Sequence, residues 1–185
     1  MSILQTIQDW LKSTGLDSRT ATIAARPIAI VLLIILSVLS NWVTKHLIVA
    51  GLRRLIARTT TKIDDAFVER KIFEKLSHIA PALVIYGLTP SVLVGYDGPT
   101  DFVQNAALIY MLAVGVLVID SFLSAVLDVY QTFEVSKEIP IQGFLQLLKL
   151  VIYFTASMLV FSLVLNKTPV YLLSGLGAMT AVLML

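Results

Sequence analysis

Apolar residues run in long unbroken stretches along this chain, and polar residues gather between them. The alternation of a half-buried strand is absent, and only the first residues show the one-sided stripe of a surface helix. Apolar stretches of this kind, about 18 to 25 residues long, suffice to cross roughly 30 Å of hydrocarbon. The pattern predicts an all-α polytopic membrane protein. It has five transmembrane helices per subunit plus a short N-terminal interfacial helix. A transmembrane β-barrel would instead show alternating segments of about 10 residues. The predicted order is an amphipathic segment at 1–19, a first span at 20–51 and a basic loop with a short helix at 52–75. A second span at 76–94, a turn at 95–101, a third span at 102–130 and a loop at 131–140 follow. A fourth span at 141–165 and a turn at 166–169 lead into the first part of a fifth span at 170–185.

Local chemistry refines these elements. Ile3, Leu4, Ile7, Trp10 and Leu11 fall on one helical face. With Trp10 and Lys12 they suit a helix lying in the membrane interface. Gly15 is placed to end that helix, and Ser18 or Thr20 to cap the next. Trp42, Lys45 and His46 mark the far interface of the first span. Pro81, Gly87 and Pro90 make the second span irregular, which neighbouring helices must accommodate. Thr61 or Asp64 can cap a short helix in the basic loop, and Pro140 suits the first turn of the fourth span. The chain stops at Leu185 in mid-run, without a polar or basic flank. A spanning helix should not end so, and the chain reads as the membrane part of a longer protein.

Charge adds orientation. Eight of the 14 Lys and Arg residues lie between Lys45 and Lys75. The amino-terminal segment holds Lys12, Arg19 and Arg26, the turn at 95–101 no basic residue, and the turn at 166–169 only Lys167. In the loop at 131–140, Lys137 is offset by Glu134 and Glu138. The bias of basic residues to cytoplasmic loops places the amino terminus outside and the carboxyl end in the cytoplasm. Arg53, Arg54, Arg58 and Lys62 can bind anionic lipid, although topology alone would also explain them.

Composition removes whole classes. A mean hydropathy of +0.88 with 57% hydrophobic residues lies outside the range of soluble domains. A net charge of +2 is too small to suggest nucleic acid, and the absence of cysteine excludes disulfides, thiolate metal sites and a cysteine nucleophile. The first residues lack a basic start and a cleavage site, so no signal peptide is read. No nucleophile–base pair, phosphate loop or dinucleotide motif is present. No enzyme, metal site or cofactor is therefore expected. Asp64 and Asp65 read as a helix cap rather than metal ligands. His46 and His78 fall at predicted interfaces.

Three ionisable residues fall inside predicted spans: Asp120 and Asp128 in the third and Lys149 in the fourth. Such groups are functional candidates by default. A Lys149–Asp128 or Lys149–Asp120 pair is expected. It could serve a proton or ion relay, or be a structural pair with a snorkelling lysine.

The last stretch, TPVYLLSGLGAMTAVLML, carries small residues at helical spacing: Ser174, Gly177, Ala178 and Ala181. Small residues let helix backbones approach closely in lipid, where packing rather than water exclusion drives association. A ring of such helices leaves an apolar axial opening, which can gate by dewetting.

Here the chain resembles a known family. LLSGLGAMTAVLML is similar to the start of the pore-lining helix of the small-conductance mechanosensitive channel (MscS) family. TTTKIDDAFV (59–68) resembles its linker after an early span. LDVYQTFEVSKEIPIQGFLQLLKL (127–150) resembles its YbdG-type, miniconductance-like branch with five spans. The resemblance covers residues 59 to 185, and the first two spans by topology alone. It implies a homo-heptamer in the bacterial inner membrane, opened by tension, with lipids and permeating ions as partners. It also implies two leucine seal positions on the pore helix. Alignment on Gly177 and Ala178 puts the second at Leu185 and the first at Ala181, a departure from the pattern. An anchor or assembly subunit, or a secondary transporter using intramembrane charges, are the other classes the residues leave open.

Overall fold

A computed structural model of the chain describes residues 2–56, 70–133 and 141–185. Every regular element among them is an α-helix: α1 (Ile3–Ser13), α2 (Ser18–Ile56), α3 (Ile72–Ser77), α4 (Ile79–Val92), α5 (Asp97–Gln131), α6 (Gln142–Leu165) and α7 (Pro169–Leu183). Three are long and apolar enough to cross a membrane, in the windows Ser18–Leu47, Asp97–Gln131 and Gln142–Leu165. The chain divides into two compact units. One holds Met1–Thr60 with Phe73–Met111, the other Thr61–Ile72 with Leu112–Leu185, and α5 contributes to both.

In the first unit, α1 begins with a capping box. Ser2 Oγ accepts the Gln5 N–H, and Gln5 Oε1 accepts the Ser2 N–H. It ends at Gly15, whose φ of +93° suits glycine. Asp17, rather than Ser18 or Thr20, stands at the start of α2. Its carbonyl accepts the Ala21 N–H at 2.9 Å, and its carboxylate accepts the Ser18 N–H at 2.9 Å. A carboxylate is favoured there because the helix N-terminus carries partial positive charge.

The apolar face of α1 does not stay free for a lipid surface. Leu4 and Leu11 are buried against Ala21, Ala25 and Ala29 of α2 and Val92 of α4, with Ile7 packed alongside. The three alanines stand one turn apart and are 0% exposed. Their small side chains form the groove that receives the larger leucines. Its hydrophobic face thus has a protein partner, which the sequence does not reveal, and Trp10 stays exposed.

The two prolines of the predicted second span divide its work. The helix is interrupted at His78, whose N–H bonds back to the Lys75 carbonyl three residues earlier. Pro81 follows in the first turn of α4, where a missing N–H is tolerated. Pro90 cannot donate to the carbonyl of Tyr86, four residues back. Gln104 Nε2 of α5 donates to that carbonyl instead, at 3.1 Å. Gln104→Leu should leave the carbonyl orphaned and cost about 1–3 kcal/mol. Pro90→Ala restores a backbone donor there and should suppress most of that loss. Thermal denaturation of the single and double variants in detergent measures both effects, and equal losses in the two would disprove the substitution.

The remaining boundaries shift modestly. α2 continues to Ile56, into the segment expected as loop, since nothing there except Gly51 disfavours helix. α5 starts at Asp97, not at 102. Pro99 falls in its first turn, where it needs no donor, and Thr100 Oγ1 donates to the Tyr96 carbonyl at 2.8 Å.

Candidate functional site

The second unit carries two of the features singled out from sequence. The first is a polar stripe on α5. Asp120, Ser124 and Asp128 stand four residues apart and so share one helical face. Lys149 of α6 places Nζ 2.8 Å from Asp120 Oδ1 and donates to Ser124 Oγ at 2.7 Å. Tyr153, one turn further along α6, donates its hydroxyl to Asp120 Oδ1 at 2.7 Å. Ser124 in turn donates to the Asp120 carbonyl at 2.9 Å. Two donors on Asp120 and a shared hydroxyl compensate the charges that these apolar helices bring together. The lysine partner is thus Asp120 rather than Asp128.

Asp128 has a different partner. Arg70 donates to it through Nε at 2.8 Å and Nη2 at 2.9 Å, a two-point contact. This geometry fits the planar guanidinium and orients it more tightly than a lysine would. Both side chains are about two-fifths exposed, so the pair positions the segment before α3 more than it stabilises it. Lys71 follows in a left-handed conformation, φ 52°, and turns the chain into α3.

The second feature is α7. Asn166 ends α6 in the left-handed conformation, φ 51°. Thr168 is extended, as a residue before proline must be, and Pro169 opens the new helix. Ser174 donates back to the Val170 carbonyl at 2.8 Å. Ser174, Gly177, Ala178, Ala181 and Leu185 are all exposed in the isolated chain. A Cβ built on Gly175 or Gly177 would meet nothing within 4 Å. Glycine inside a helix costs about 1 kcal/mol relative to alanine, and no neighbour among the described residues requires it.

The basic cluster is placed only in part. Arg53 and Arg54 lie in the last turns of α2. Arg58 and Lys62 lie outside the described residues, as do Thr61, Asp64, Asp65, Glu134, Lys137, Glu138 and Pro140. In the first unit, Lys45 pairs with Glu74 at 3.0 Å, joining α2 to α3. His46 lies against Trp42, ring centroids 4.3 Å apart and planes tilted by 40°, with Nδ1 3.0 Å from the Trp42 carbonyl. Arg26 donates to the Tyr96 hydroxyl at 2.7 Å and lies over a tyrosine ring, 4.7 Å from the Tyr96 centroid.

Arg70, Ser124 and Tyr153 were not singled out from sequence. A signal for two of them exists: Ser124 lies one turn from both aspartates, and Tyr153 one turn from Lys149. Arg70 has no such signal, because its partner is far away in the chain. No known protein-family model matches this chain, and no solved structure matches it significantly.

Proposed function

We propose that the chain is the membrane portion of a tension-gated channel subunit, with α7 lining the pore. The observation that carries the reading is the exposed small-residue face of α7. Its glycines cost helix stability, and nothing among the described residues crowds them. Close approach to other helices is the use that such a face has in lipid. The segments quoted above that resemble the mechanosensitive channel family support the same reading and extend it to a homo-heptamer in a bacterial inner membrane.

In this reading there are five spans. Ile72–Ser77 and Ile79–Val92, interrupted at His78, together reach the length a span requires. α7 is the fifth. The amino terminus and α1 lie on the periplasmic side, with Trp10 at the interface. The basic segment containing Arg53, Arg54, Arg58 and Lys62 faces anionic lipid on the cytoplasmic side. Tension favours whichever state occupies more membrane area, as a ligand favours the state it binds better. When the α7 helices part, the apolar constriction wets and ions pass.

Survival of osmotic shock tests this directly. The protein is expressed from its complete gene in bacteria stripped of their own stretch-activated channels, and the cells are diluted abruptly into water. Rescue of viability is expected. Lack of rescue by protein shown to reach the membrane would move the reading to a membrane anchor.

A further inference from the structure

The polar stripe on α5 offers Lys149 more than one place to sit. Asp120, Ser124 and Asp128 form a ladder with one rung per helical turn. Lys149 occupies the interval between the first two rungs, bonded to Asp120 Oδ1 at 2.8 Å and to Ser124 Oγ at 2.7 Å. The two helices run antiparallel. Lys149 meets Ser124 while Tyr153, later in α6, meets the earlier residue Asp120. Sliding α6 by one turn toward Gln131 therefore carries Lys149 into the interval between Ser124 and Asp128. The same slide brings Tyr153 alongside Asp120 and Ser124. Each donor then faces an acceptor again, and the displaced group is Arg70, whose contact with Asp128 is about two-fifths exposed.

Packing does little to oppose the slide. An open groove of about 400 Å³ runs beside the ladder, lined by Gly115, Val116, Ile119, Ile152, Thr155 and Ala156 among others. Along the groove, apolar side chains of the two helices leave space unfilled, and the polar contacts hold the register beside it. Charged and polar groups on apolar spans need partners, which disfavours intermediate positions and leaves two discrete ones. One-turn jumps of one helix past another are an established form of such two-state change.

We propose that α5 and α6 form a two-register switch, in which Lys149 exchanges Asp120 for Asp128 as Arg70 is released. The proposal concerns two helices of one subunit and does not rest on the channel reading. The chain has no cysteine, so Leu117→Cys and Val164→Cys give a spin-labelled pair, both positions being exposed on α5 and α6. The distance is measured by pulsed electron resonance in the full protein in lipid nanodiscs. The unaltered ladder should give the longer distance. Asp120→Asn should move population to a distance shorter by up to about 5 Å, one helical turn. Arg70→Gln, which leaves the Asp120 contacts in place, should raise the same shorter component. Asp128→Asn should abolish it. A distribution that keeps the longer distance in both Asp120→Asn and Arg70→Gln, or that broadens without a shorter component, would overturn the proposal.

Discussion

Replacing Ala25 with leucine is expected to dislodge α1 and cost the first unit about 1–3 kcal/mol, the usual price of overpacking a closed site. Ala25 is the middle of three alanines, Ala21, Ala25 and Ala29, each 0% exposed. Leu4 and Leu11 of α1 and Val92 of α4 close over them. A leucine there has no free volume to enter, and the bulk must push one of three helices away. Ile23→Leu, at a position 70% exposed, is the control and should change nothing. The chain has two tryptophans, Trp10 and Trp42. In a Trp42→Phe background Trp10 reports on α1 alone. A lower denaturation midpoint in detergent with altered Trp10 emission is expected. An unchanged midpoint would mean that α1 does not dock on the alanine groove.

The second large effect is an asymmetry between single and double removal of charge. Asp120→Leu leaves Lys149 without its carboxylate inside an apolar helix pair. Charged residues near the centre of a span cost about 2.5–3.5 kcal/mol on insertion scales. A loss of that order is expected, moderated because Lys149 keeps Ser124 and can reach toward Asp128. Lys149→Leu should be comparably harmful, since Asp120 then loses its lysine while keeping the Tyr153 hydroxyl. The double replacement removes both charges and should recover most of the stability, because well-packed apolar pairs match or exceed buried ion pairs. A double-mutant cycle on denaturation midpoints reads this. Additive losses would show that the two side chains do not act on each other.

Much of the architecture was legible before the structure. Long apolar runs announce helices, since no other open structure satisfies its backbone in lipid. Gly15 marks the end of α1, whereas Pro169, which reads as the last residue of a turn, is the first of α7. The docking of α1 was not legible. Its apolar face reads the same whether lipid or protein covers it, and the alanines that receive it lie in a run where nearly everything is apolar. The role of Gln104 was hidden for a related reason. A lone glutamine in a span declares a polar need without naming the carbonyl that Pro90 leaves open. Lys149 was matched to the correct helix because charges are rare there. The choice of Asp120 over Asp128 depended on Arg70, a residue in a segment without periodicity. The small-residue face of α7 was visible as spacing. Its exposure, and the empty space around Gly177, came only from the structure.

The central claim is that α7 forms a tension-gated pore, and recording from membrane patches under suction tests it most directly. The protein is expressed from its complete gene in cells without stretch-activated channels of their own. Stepwise currents that grow with suction are expected, and Gly177→Leu or Ala178→Leu should change their threshold or unitary conductance. Silent patches containing the protein, or currents indifferent to both substitutions, would contradict the assignment of α7 to the pore.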